Sequence, residues 1–416
     1  MIIPSAALYS EFLATPSLVR LALSTTDGRA TPSLLIKTNT LLLKYIVQGA
    51  PLATHFIPLG DRLLYTVSVT QDDGPPIRLW SILEHDEEKK AVAAIAAQRT
   101  CRCYLFNELA VNVAWTLVEV ALDQGVVVMA ESVATGRPDY PALQREVGQA
   151  LDSLGPAAVA REGMHGPPLT VVIEWHPIES HYVTNRLSRS LVDLFNRDEG
   201  KQQEQLGLWL IDGLDPRGAH LGPQIPEGSG KRELTDLLLN HEFGPILIES
   251  KTLSILAREH LPSREQLARD VSAHVDKAIR QLGGAIRSIK NGLEVTAANG
   301  EAIEVERTNP AHAIVLIPDL ALIPDRSKYG LDIMKAFVKR TGGLLHILDI
   351  SELLRLVQAA EMIASRGKRT TPMMAFDFAL IERAKAAQKA GSLVIEVLHR
   401  LDDKAPQDVD FDESAG

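Results

Sequence analysis

The chain has 416 residues, of which 45% are hydrophobic and 23% charged, and its formal net charge is -10. That is ordinary composition for a globular protein and too much chain for one typical core, so two domains are expected. The negative balance excludes a generally basic, polyanion-coating surface, and a nucleic-acid or lipid partner would have to meet a local basic patch or bound cations.

The opening "MIIPSAALYSEFLATPSLVRLALSTTDG" has no basic stretch before an apolar block, and Pro4 and Pro16 interrupt it, so no secretory signal is read. No window of about 18 apolar residues offers a membrane span. A soluble, cytoplasmic protein is the expectation. Further on, "RLLYTVSVT" and "PIRLWSIL" are β-rich runs separated by the turn-forming "QDDGP", which predicts a hairpin with a longer loop. "EHDEEKKAVAAIAAQ" predicts a helix with acids in its first turn, where the helix dipole favours them. "CRCYLFNE", "VAWTLVEVAL" and "VVVMAESV" read as strands, "YPALQREVGQALDSL" as a helix and "PLTVVIEW" as a closing strand. The only cysteines, Cys101 and Cys103, cannot complete a four-ligand zinc site and read as strand residues in a reducing compartment. Residues 1–197 thus form an expected α+β domain whose role, in recognition, regulation or oligomerisation, the residues do not specify.

The segment "HYVTNRLSRSLVDLFNRDEGKQQEQLGLWLIDGL" is helical by pattern with a break near 198–200. A Gly/Pro-rich loop follows, then the expected strand "RELTDLLL", a turn at 240–244 and the strand "GPILIESKTLS". In the helix after it, Ser263 and Gln266 form a capping box; Leu267, Val271, Val275, Leu282, Ile286 and Ile289 share one side, and Asn291-Gly292 end it. Two buried strands, "AHAIVLIPDLAL" and "GGLLHILDI", flank the amphipathic "GLDIMKAFVKR". The acidic, Pro- and Gly-interrupted end, 401–416, reads as a disordered tail.

The charges on "ILIESK" carry the chemistry. Glu249 and Lys251 stand two apart and share a face of an extended strand. The expected hairpin brings Asp236 of "ELTDLLL" alongside, so that Asp236 and Glu249 present carboxylates to one hard cation such as magnesium. Lys251 beside that cation would stabilise negative charge developing on an attacked phosphodiester. Glu204 of "KQQEQLGLWL" is the first choice for a further acid and Glu199 the second. The competing reading of Glu249 and Lys251 is a strand-end ion pair worth about 0–1 kcal/mol.

Asp236 followed by "IESK" resembles the PD-(D/E)xK, or restriction-endonuclease-like, nuclease superfamily, particularly its nuclease-related and type IV restriction branches. The resemblance spans about 198–348, with Thr235-Asp236 in place of Pro-Asp. It implies an αβββαβ core in a domain at 198–400, hence an α/β chain overall. It further implies a Mg2+ or Mn2+ site at Asp236, Glu249 and the Ser250 backbone carbonyl, assistance from Lys251, and Glu204 as the helix-borne acid. The implied activity is divalent-metal-dependent hydrolysis of phosphodiesters in nucleic acid, DNA ahead of RNA, with prokaryotic defence as an associated role. The alternatives are an inactive nuclease-fold protein that binds nucleic acid or a protein partner, and a magnesium-dependent phosphohydrolase of small nucleotides.

For the nucleic acid itself, Arg269, Arg280 and Arg287 stack on the side of the long helix opposite its apolar stripe, which is also what a solvated face looks like. Lys277 and Gln281 are placed between the two faces, nearer to the sheet, and Gln281 resembles a glutamine that several nuclease branches carry near the site. "EGSGKRELT" fails as a P-loop, because Ile225 and Arg232 occupy positions that require Gly and Ser or Thr. It reads as a flexible loop from which Lys231 and Arg232 reach a phosphate. His176, Glu179 and His181 match no standard zinc spacing and read as a surface loop. A homo-oligomer or partner subunit stays open, and no membrane contact is expected.

Overall fold

The computed structural model describes residues 4–26, 29–70, 75–155, 167–183, 189–215, 218–367 and 369–395; the acidic end at 401–416 lies outside them. The protein is mixed α/β, with two sheets that carry most of the strands. After α1 (Ala6–Ala14), the N-terminal unit contains β1 (Leu18–Thr26), β2 (Arg29–Lys37), α2 (Thr40–Val47), β3 (Leu52–Leu59), β4 (Arg62–Val69) and β5 (Ile77–Ile82). It continues through α3 (Asp86–Gln98), β6 (Thr100–Phe106), β7 (Asn112–Val120), α4 (Gln124–Ser132), α5 (Tyr140–Ser153), β8 (Pro168–Val171) and β9 (His176–Pro177). Its strands run in the order β1-β2-β6-β7-β8-β3-β4-β5. The sheet curls until its two ends meet, where the Val19 amide donates to Ser81 Oγ at 3.3 Å, giving a nearly closed eight-stranded barrel.

The expected β4–β5 hairpin and α3 are present, the helix carrying Asp86, Glu87 and Glu88 in its first turn. Cys101 and Cys103 are both buried in β6, and burial pushes the Cys101 thiol up to about 12. "VVVMAESV" is a helix and not the expected strand. Asp123 caps it by accepting from the Val126 amide, and Val126, Val127 and Ala130 face the core at helical spacing while Val128 points out. Valine content suggested a strand, and a local cap with tertiary packing overrode it. The expected helix around 181–197 is instead an antiparallel pair, β10 (Ser180–Val183) with β11 (Arg189–Val192).

The C-terminal unit opens with α6 (Glu199–Asp212), followed by β12 (Ala219–Leu221), β13 (Gln224–Glu227), β14 (Gly230–Glu233), β15 (Leu237–Leu239) and β16 (Ile246–Ser250). Then come α7 (Arg264–Lys290), β17 (Val295–Thr296), β18 (Ala302–Ile303), β19 (His312–Ile317), α8 (Leu331–Thr341), β20 (Leu344–Asp349), α9 (Ile350–Arg366) and α10 (Pro372–Ala390). The main sheet runs β12-β15-β16-β19-β20, antiparallel up to β16 and parallel beyond it. "RELTDLLL" is therefore two strands. β14 pairs with β13 in a smaller sheet, the chain breaks at 234–236, and only Leu237–Leu239 enter the main sheet. "EGSGK" is correspondingly the tight turn of the β13–β14 hairpin, with Gly228 at φ 57, and not a free loop. Gly244 sits at φ 127, and a Cβ there would meet the Pro310 carbonyl oxygen at 2.5 Å, so this turn requires glycine.

One large cluster of buried apolar side chains runs from Val19 in the barrel to Val394 beyond α10, with two smaller clusters around Phe12 and Ile57 in the N-terminal unit. Among the described residues no helix is long and apolar enough to cross a membrane. Helices α9 and α10, which the sequence reading left undefined, pack on each other and are locked to β20 by Arg383. This residue is fully buried, bonds Glu352 at 2.9 Å and donates to the Ile347 carbonyl at 2.8 Å. Arg383→Met leaves the buried Glu352 uncompensated and is expected to cost about 3–5 kcal/mol, seen as a lower urea midpoint. Lys385→Ala, which breaks an exposed pair with Glu382 on the same helix, is expected to stay within about 0.5 kcal/mol.

Candidate active site

Strand parity sorts the charges. Ser250 Oγ accepts from Gln203 of α6 at 2.9 Å, so Ile246, Ile248 and Ser250 face α6, while Leu247 and Glu249 point to the other face, where α7 packs. Leu237 stands opposite Ile248 and lies against Gly207 of α6, where a Cβ would meet Leu237 Cδ1 at 2.8 Å. Continuing that register by one residue puts Asp236 beside Glu249, on α7's face of the sheet. Lys251 leaves the strand on the same side.

The bonding follows from where β15 stops. Its ladder ends at Leu237, so the Ser250 amide has no further strand partner on that side and donates to Asp236 Oδ2 at 2.6 Å. On the other side the Lys251 amide donates to the Leu316 carbonyl at 2.8 Å. Lys251 Nζ then lies 2.7 Å from Glu249 Oε2 and 3.4 Å from Asp236 Oδ2. One ammonium bridges two carboxylates, one from β16 and one from the break just before β15.

Two more acids border this trio. Burial, then the charges of Asp236 and Glu233, push the Glu204 carboxyl up to about 7. Burial, then Asp236, push Glu249 up to about 7 despite the pull of Lys251. Glu233 is raised in the same way, by burial and then Asp236. Burial opposes the Lys251 cation, but Asp236 and Glu249 together outweigh it and hold the ammonium protonated. Two carboxylates are paired with one lysine and the charge of Asp236 reaches two further acids, so the site carries surplus negative charge. Among the described residues no three His, Cys, Asp or Glu side chains are gathered closely enough to hold a metal ion between them. A cation here would have Asp236 and Glu249 as its protein carboxylates.

No family model, no curated protein and no solved structure matches this chain. The site stands on its own geometry.

Of the residues singled out in the sequence, Asp236, Glu249, Ser250, Lys251 and Glu204 come together. Glu199 does not join them: it is buried, paired with Lys44 at 2.5 Å, and accepts from the Leu256 amide at 2.7 Å. Lys231 donates to Thr296 Oγ1 at 3.1 Å and Arg232 pairs with Glu227 at 3.2 Å, both within the small sheet. Arg269, Arg280 and Arg287 are exposed on α7, Arg269 in an i,i+4 pair with Glu265. Lys277 and Gln281 are exposed as well and do not lie toward the sheet as expected. His176 stacks on Trp115 with ring centroids 4.6 Å apart, and Glu179 is exposed; the side chain of His181 lies outside the described residues.

Three residues escaped the sequence reading. Gln203, adjacent to Glu204, reaches Ser250 Oγ, the Lys251 carbonyl at 3.3 Å and the Leu316 carbonyl at 3.4 Å, and so takes the place by the strand that was expected of Gln281. Glu233 reads as part of a continuous strand until the break at 234–236 is known. His274 of α7 lies near Lys251 and Thr252, its buried Nδ1 has no hydrogen-bond partner among the described residues, and burial lowers its pKa.

The raised acids set a pH dependence. Glu249 and Glu204 hold protons in the folded protein up to about 7 but release them near 4.5 when unfolded. Between those values the native state binds more protons, so their contribution is complete below about 4.5 and is lost as pH rises through about 7. Glu249→Gln is expected to flatten this slope, raising stability at pH ~8 relative to wild type more than at pH ~5 in urea unfolding.

Proposed function

We propose that the C-terminal unit is a divalent-metal-dependent nuclease of the PD-(D/E)xK type, hydrolysing phosphodiester bonds in nucleic acid, with DNA the preferred substrate. The observation that carries this reading is the convergence of Asp236, just before β15, and Glu249 of β16 on the ammonium of Lys251. The element order α6, β12, β15, β16, α7, β19 supports it, since it coincides with the αβββαβ core that the motif implied.

The donor set fits a hard cation: carboxylate oxygens exceed the local positive charge, and two protein carboxylates are what magnesium ordinarily takes. Asp236 and Glu249 would hold Mg2+ or Mn2+, with the Ser250 carbonyl as the third protein ligand that the family pattern supplies. When bound, the cation contributes Lewis acidity and a more acidic water. The chain's own residues do the rest. The Ser250 amide orients the Asp236 carboxylate, and Gln203 ties the strand end to α6 so that Glu249 and Lys251 keep their spacing. Lys251, held cationic, neutralises charge that builds on the phosphate oxygens as the bond to the attacking oxygen forms. Glu204, its carboxyl raised to about 7, would accept a proton from the water at neutral pH. The exposed Arg269, Lys277, Arg280 and Gln281 on α7 and Lys231 and Arg232 on β14 are the polar groups available to the nucleic-acid backbone.

The test is incubation with linear, circular and single-stranded DNA and with RNA, in Mg2+ or Mn2+. Cleavage is expected to vanish on chelation and to fall by about a hundredfold or more in Lys251→Met and Glu249→Gln. Cleavage that is indifferent to chelation, or unchanged in either variant, overturns the proposal. Binding without cleavage by the wild type would favour the inactive, nucleic-acid-binding alternative.

A further inference from the structure

Helix α2 belongs to the barrel by sequence, yet Leu41 through Ile46 are all buried, including the lysine and tyrosine among them. Such a short helix, buried all round, lies between two bodies and serves as part of neither surface. Asn39, Lys44 and Tyr45 reach into the C-terminal unit, while Thr40 stays with the barrel, its amide and hydroxyl donating to Glu108 at 2.9 and 2.7 Å.

Lys44 Nζ donates to Glu199 Oε2 at 2.5 Å, and both side chains are almost wholly buried. Glu199 is the first residue of α6, and its other oxygen accepts from the Leu256 amide at 2.7 Å, in the segment that follows Lys251. One turn along α6, Gln203 holds the Lys251 carbonyl and Ser250 Oγ. Tyr45 donates to the Pro262 carbonyl at 2.5 Å, at the far end of that same segment. Asn39, which caps α2 by accepting from the Leu42 amide at 2.8 Å, donates to Asp319 in the loop after β19 at 3.0 Å. The chain from 251 to 263 is thus held in its middle, through Glu199, and near its far end, at Pro262, by consecutive residues of a barrel helix.

Resting on the nuclease reading of the Asp236–Glu249–Lys251 site, we infer that Lys44 and Tyr45 are positioning residues for Lys251, so that the barrel is a structural part of the active site and α2 transmits its state there. The buried Lys44–Glu199 pair carries this. A lone Glu199 carboxylate would be costly in that environment and would release either α6 or the Leu256 amide. A displacement of about 1 Å at Lys251 is enough to cost about a hundredfold in rate.

The experiment uses the full chain and four proteins: wild type, Lys44→Met, Lys44→Arg and Tyr45→Phe. Hydrogen exchange is followed by mass spectrometry, alongside DNA cleavage in Mg2+. Exchange of amides in 251–262 is expected to rise about tenfold in Lys44→Met and Tyr45→Phe, while β19 and the centre of α7 stay as in wild type. Cleavage per folded molecule is expected to fall about tenfold to a hundredfold in Lys44→Met, less in Tyr45→Phe, and to return to within about threefold of wild type in Lys44→Arg. Unchanged exchange at 251–262, or wild-type cleavage despite faster exchange there, overturns the inference. Should Lys44→Met unfold the whole chain, Tyr45→Phe, which removes one hydroxyl, decides alone. Should wild type cleave nothing, the nuclease reading fails, and the exchange pattern still establishes or removes the tie between α2 and the 251–263 segment.

Discussion

Because Leu237 pairs with Ile248, the residues just outside that pair, Asp236 and Glu249, lie side by side on one face of the main sheet. A slip of one residue would carry Asp236 to the face covered by α6 and leave Lys251 with a single carboxylate. Several features hold the register. Gly244 makes a turn that a side chain would block against Pro310, Thr235 Oγ1 donates to the Ile248 carbonyl at 2.9 Å, and Gly207 lets α6 lie close over Leu237. The chemistry of the C-terminal half depends on that short pairing more than on any single charged residue.

The early end of β15 is what makes the pairing useful. Another ladder bond would have consumed the Ser250 amide; instead that amide draws in the Asp236 carboxylate. Surplus negative charge follows from the same crowding. Glu204 and Glu233 arrive from α6 and β14, Lys251 balances only part of the charge, and Glu249 is buried away from water. A site in this condition is set to take up a proton or a hard cation, which ties its stability and its proposed activity to the same groups.

Separation into a barrel and a sheet unit gives way at α2. The core is continuous from one to the other, and polar bonds cross the seam from Asn39 to Asp319, from Lys44 to Glu199 at the start of α6, and from Tyr45 to the Pro262 carbonyl. Buried and hydrogen-bonded, they are short-range and geometrically specific, unlike the exposed pairs on α7 and α10.

Much of this was legible in the residues alone. Glu249 and Lys251 share a face because a strand alternates, and "LARDVSAHVDKAIRQL" buries one stripe because a helix repeats every 3.6 residues. Both are local periodicities, independent of any partner. Local composition misled where a tertiary partner decided: valines at 126–128 lie in a helix, and Ser180–Val183 pairs with Arg189–Val192 as strands. "RELTDLLL" divides between two sheets, Gln281 faces solvent, and Gln203 holds the strand. The sequence by itself determined which side chains could form an acid–lysine site and the strand on which two of them would lie. Only the tertiary structure decided that Asp236 joins them, that Glu199 is committed to Lys44, and that a barrel helix holds the loop beyond Lys251. Those outcomes depend on cross-strand register and on pairs of residues 13 to 217 positions apart, which no local pattern encodes.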